Sequence, residues 1–101
     1  MNIRQYLFQY VAVSGMDWKE ETKLKFGQHL LVLLQDYGIR NNTKPSLRQL
    51  ANRAGLEYSQ VQRISKGQVD LALTTIVSLA IGLNLDPKDL LDFNLNMVEL
   101  K

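Results

Sequence analysis

The chain has 101 residues, enough for one domain and little more. It holds no cysteine and one histidine, which excludes disulfides, thiolate zinc sites and cysteine nucleophiles. Net charge is only +2, and the longest apolar run, residues 30–34, is far shorter than a membrane span.

Residues 1–16 read as an N-terminal extension for packing or dimerisation. Ile3, Tyr6, Leu7, Tyr10 and Val11 fit a helical stripe, with Asn2, Gln5 and Gln9 opposite. The same stretch would put Tyr6, Phe8 and Tyr10 on one face of a strand, so helix and strand both stand, with the stripe favouring helix. Ser14-Gly15 breaks it. The segment lacks a signal-peptide apolar core, so a cytoplasmic protein is expected.

Asp17 then starts a long helix, three residues before Glu20 in a capping-box-like arrangement. This helix is expected to run to about Tyr37, with Gly38 as its stop. Its apolar set is Trp18, Phe26, Leu30, Leu31, Val32, Leu33 and Leu34, wider than one core-facing stripe. The N-terminal segment or a second subunit should cover the surplus.

A polar loop, IRNNTKP, follows over residues 39–45. Pro45 hands over to Ser46, a good N-cap for a second helix ending at Ala54. A third helix should run from Glu57 or Tyr58 to about Lys66, stopped by Gly67. Leu47, Leu50, Ala51 and Ala54 share one face, and Leu56, Val61 and Ile64 continue it beyond Gly55. Ala51 is small enough for two helices to cross closely, and Gly55 tolerates a bend with positive φ. Two short helices at a steep angle, basic on the outside, read as a helix-turn-helix for the DNA major groove.

A fourth helix is expected over Leu73 to Leu83, with Leu73, Ile76, Leu79, Ala80 and Leu83 on one side and Asn84 as left-handed cap. Asp86-Pro87 opens a fifth, with Asp89 in its first turn and Leu90, Leu91 and Phe93 facing inward. The tail, residues 93–101, alternates at Phe93, Leu95 and Met97, which suits a short strand. The expected fold class is thus all-α, with five helices over residues 17–92.

Charge distribution says more than net charge. Residues 40–68 carry Arg40, Lys44, Arg48, Arg53, Arg63 and Lys66 against one acid, Glu57, a net +5; the remainder carries −3. Positive charge gathers on the element that would meet phosphate.

The run SLRQLANRAGLEYSQVQRISKG, the later helix LTTIVSLAIGLNL and the following DPKDLLDF resemble the Cro/repressor-type, lambda-repressor-like helix-turn-helix family. The Leu50-Ala51 pair, Gly55, Val61, Ile64, Gly67, Thr75-Ile76, Ala80, Leu83 and Leu90-Leu91 fall where that family places them. The resemblance covers residues 26–92, about two-thirds of the chain.

With Val61 and Ile64 inward, Tyr58, Ser59, Gln62 and Arg63 fall on the outward side of the third helix, and the resemblance implies that these positions reach base edges. Arg63 could donate twice to guanine and Gln62 could pair with adenine. Tyr58 could stack on a sugar, touch a thymine methyl or donate to a phosphate. Ser46, Arg48 and Gln49 start the second helix, where free N–H groups and the dipole can hold a phosphate. Lys66 and Gln68 would clamp the opposite strand. Taken singly, these are ordinary surface residues, Ser46 is a cap in any case, and Arg53 reads as solvated.

Three features depart from the family pattern. Leu34 and Ser65 stand where the family has a paired arginine and glutamate; losing both partners together is nearly neutral. Glu57 stands where Ser or Thr caps the recognition helix; a carboxylate there suits the dipole but repels phosphate. Residues 40–45 read as an insertion.

Enzymatic readings fail on inventory. His29 is alone, Asp86, Asp89 and Asp92 are scattered, and Gly15, Gly27 and Gly38 form no phosphate loop. No cofactor or metal is expected. The expected function is sequence-specific binding of double-stranded DNA by a small, repressor-like regulator, a homodimer on two half-sites. The alternative is a protein-interaction module of the same fold, such as an antitoxin-type protein with a toxin or other regulator as partner.

Overall fold

The structure is a computed structural model and describes residues 17–95. The readings of residues 1–16 and of Met97 lie outside that range. The described chain is all-helical, with no strand: α1 (Trp18–Arg40), α2 (Leu47–Ala54), α3 (Tyr58–Ser65), α4 (Leu73–Leu83) and α5 (Pro87–Leu90).

Helix α1 begins as its sequence predicts. The Asp17 carboxylate accepts from the Lys19 N–H at 3.1 Å. Glu20 does not return to the cap but pairs with Lys23 at 2.8 Å. The end of α1 differs from expectation. Gly38 is not a stop; the helix passes through it to Arg40. The left-handed turn comes instead at Asn42, with φ of 52°. Gly38 serves a close approach: a Cβ there would lie 2.7 Å from the Thr43 carbonyl oxygen and 3.2 Å from Pro45 Cγ. The loop therefore folds back onto the last turn, with the Thr43 N–H donating to the Gly38 carbonyl at 2.9 Å.

Helices α2, α4 and α5 follow their capping signals. The Ser46 hydroxyl accepts from the Gln49 N–H at 3.1 Å and starts α2. Gly55 ends it in the left-handed region, φ 70°, which releases the chain toward α3. Asn84 takes the same role after α4, with φ 57°. Asp86 caps α5, and its N–H donates to the Asp89 carboxylate at 3.2 Å.

One core joins all five helices. Leu30, Leu50, Val61, Ile64, Leu79, Leu83 and Leu90 are fully buried, with Phe26, Leu34, Ala51 and Ala80 beside them. Each large aliphatic side chain stabilises the fold by about 1.5–3 kcal/mol through burial. Two predicted inward residues, Leu73 and Leu91, are exposed, and so is part of the apolar surplus of α1. Trp18, Leu31 and Val32 lie on the outer side of α1, where no described helix packs. Leu73 is on the first turn of α4, whose buried residues all lie in its later half. Leu91 is the C-cap of the one-turn α5, past its last helical residue. Residues 92–95 have no regular structure, so the expected strand does not start at Phe93. Phe93 instead packs edge to face against Phe26, ring centroids 6.2 Å apart, and no strand lies beside it among the described residues.

His29 has a structural role. Its Nε2 lies 2.7 Å from the Asp89 carbonyl oxygen, and its ring packs against Phe93 at 5.7 Å. It ties the short α5 to the long α1.

Candidate nucleic-acid interface

Two features set the position of α3. Val61 and Ile64 are buried in the core. The end of α3 also rests directly on α1 at Gly27, where a Cβ would lie 2.6 Å from the Ser65 carbonyl oxygen and 2.7 Å from that of Ile64. Only a residue without a side chain permits that approach. Ser65 thus meets α1 at Gly27, and its hydroxyl donates to the Gln62 carbonyl at 2.7 Å. Leu34 lies two turns further along, about 10 Å away by helical rise, and is buried in the core. The two departures from the family pattern do not face each other.

On the outer side of α3, Ser59 and Arg63 are exposed one turn apart, and Tyr58 and Gln62 are half-buried beside them. Glu57 is the N-cap, exposed, and makes no capping hydrogen bond. At the far end, the Gln68 N–H donates to the Arg63 carbonyl at 3.0 Å, which wraps the chain around the helix terminus and leaves Lys66 and Gln68 exposed.

The start of α2 joins this surface. Arg48 and Gln49 are exposed, and Ser46 is half-buried with its hydroxyl committed to the cap. The Arg48 guanidinium lies 4.1 Å from the Tyr58 ring centre, a cation–π contact that spans the turn. The structure therefore brings Arg48 and Tyr58 together. Ser59 and Arg63 are exposed on the outer side of α3.

Not every basic residue is available. Arg53 is exposed, as expected, but also engaged: its Nε donates to the Gly82 carbonyl at 2.7 Å and its guanidinium lies over the Tyr37 ring at 4.1 Å. Arg40 is paired with Asp36 at 3.0 Å. Lys44, Arg48, Arg63 and Lys66 remain exposed. Near the start of α1 the surface turns acidic; Glu20, with help from Asp70 and Asp17, raises the Lys23 ammonium above its ordinary range.

The Arg53 contact has no local signal, because it joins residues 29 positions apart. The Tyr58–Arg48 contact is equally silent in periodicity.

Residues 29–96 match the Cro/C1-type HTH DNA-binding domain family. This chain belongs to that family. Among solved structures, the restriction–modification controller protein C.AhdI from Aeromonas hydrophila is 31% identical, with a TM-score of 0.53. The similarity covers 66% of this chain and 92% of that one. No curated protein matches the sequence. For a Cro/C1-type domain, α2 and α3 are the helix-turn-helix, and the exposed residues just described lie on or beside them.

Proposed function

We propose that this Cro/C1-type domain binds a specific double-stranded DNA sequence as a small transcriptional regulator. The observation that carries the reading is the exposure of Ser59 and Arg63 on α3 between two cationic ends, Arg48 on α2 and Lys66 beyond α3. Arg63 donates to the guanine edge, and Gln62, half-buried, pairs with adenine within reach of the groove floor. Ser46, Arg48 and Gln49 hold one phosphate strand at the start of α2; Lys66 and Gln68 hold the other. The similarity to a restriction–modification controller supports a regulatory role over a purely structural one.

The reading includes a homodimer with repressor-like action, each protomer occupying a half-site about 34 Å from the other. Exposed apolar residues on α1, Val32 at 63% and Ile39 at 76%, supply material for a protein contact. The same residues favour the second reading, in which α1 receives a protein partner and DNA contact is weak.

Selection of bound duplexes from a random double-stranded pool by the full chain tests the proposal. An inverted repeat is expected. Recovery of no motif, with binding only at low salt, would overturn it in favour of the protein-partner reading.

A further inference from the structure

The DNA-binding reading places Tyr58 among the base-facing residues, but its surroundings suit another task. Tyr58 is the first residue of α3 and is packed against the core. Its ring face is covered by the Arg48 guanidinium at 4.1 Å. Arg48 itself is exposed, takes part in neither of the described ion pairs, and donates to no described protein acceptor. Arg53 offers an internal contrast. It lies over Tyr37 at the same distance, yet its Nε is held by the Gly82 carbonyl, which makes it a structural tie. Arg48 has the cation–π contact and lacks the acceptor.

A guanidinium seated over a ring, with no protein acceptor taken, keeps N–H groups available for a bidentate acceptor. Arg48 sits in the first turn of α2, where backbone N–H groups point out and the Ser46 hydroxyl already occupies that of Gln49. An oxyanion placed there meets the guanidinium edge and the helix start together.

We infer that Tyr58 is a positioning residue, not a base reader: its ring holds the Arg48 guanidinium at the start of α2, ready to grip a DNA backbone phosphate. Because Tyr58 opens α3, the phosphate grip and the reading helix are fixed to one another across the turn. The inference rests on the DNA-binding reading and assigns one part of it.

The test measures affinity and its salt dependence for the full chain on the selected duplex and on a mixed-sequence duplex. Tyr58→Phe keeps the ring and matches the wild type. Tyr58→Leu keeps the bulk, loses the ring, and weakens both duplexes by the same factor, roughly two- to fivefold for a lost exposed cation–π contact. Arg48→Ala lowers the salt slope by about one. The double variant Arg48→Ala with Tyr58→Leu binds no worse than Arg48→Ala alone. Arg48→Lys, an exposed change that spares the core, keeps the wild-type salt slope and binds more weakly, and it decides the matter if Tyr58→Leu does not fold.

Loss confined to the selected duplex in Tyr58→Leu would make Tyr58 a base reader and overturn the inference. Losses that multiply in the double variant, or an Arg48→Lys protein identical to wild type, would overturn it as well, with DNA binding left standing. A wild-type chain that binds neither duplex would remove the DNA reading itself, and this inference with it.

Discussion

Arg53 reaches from α2 to the Gly82 carbonyl of α4, its Nε donating at 2.7 Å. The same guanidinium covers Tyr37 of α1. One side chain thus pins the helix-turn-helix to the rest of the core from both sides. Arg53→Ala is expected to destabilise the fold by about 1–2 kcal/mol, combining a charged hydrogen bond with a partly exposed cation–π contact. Urea unfolding measures it. A change within about 0.5 kcal/mol, usual for a surface substitution, would mean the contact contributes nothing in solution.

Gly27→Ala sets two effects against each other. Alanine favours a helix interior by about 1 kcal/mol over glycine. Its Cβ, however, would lie 2.6 Å from a backbone oxygen of α3, which cannot rotate away. Overpacking of this kind costs about 1–3 kcal/mol, so a net loss of stability is expected. DNA affinity should fall further than stability alone accounts for, because α3 must shift. Unfolding and binding measured on the same preparation separate the two.

Arg63 is exposed and its side chain makes no described contact within the protein. Arg63→Ala should leave the unfolding midpoint in place and reduce discrimination at one base pair by about 1–3 kcal/mol. Competition between the selected duplex and single-base variants reads this directly. An unchanged preference at every position would remove Arg63 from the base-reading set.

Glu57 caps α3 without a side-chain hydrogen bond. Glu57→Ser gains a cap bond of about 1 kcal/mol and loses a favourable dipole interaction of about 0.3–1 kcal/mol, so stability should hardly change. DNA binding should tighten, most at low salt, because a carboxylate leaves the phosphate-facing side. Equal affinity of the two proteins at low salt would show that Glu57 points its charge away from DNA.

Much of the fold was written in local chemistry. Ser46, Gly55, Asn84 and the Asp86-Pro87 pair act where they stand, through neighbouring backbone, and the structure uses each accordingly. The family resemblance rested on the same residues and on the buried set Leu50, Ala51, Val61, Ile64, Ala80, Leu83 and Leu90. Gly38 misled because a glycine can end a helix or admit a neighbour, and only the returning Thr43 and Pro45 decide which. Leu73 and Leu91 misled because periodicity marks a face but not how far the packing partners extend along it. Arg53, His29 and the Arg48–Tyr58 pair were not legible for one reason: each joins parts of the chain that meet only after folding.

Gly27 leaves α1 and α3 in backbone contact, with no side chain between them to act as a cushion. Such a joint transmits tilt instead of absorbing it. Val32 and Ile39 are exposed on the same rigid rod against which α3 is braced, so on the proposed reading a partner held there would bear on the helix that meets DNA.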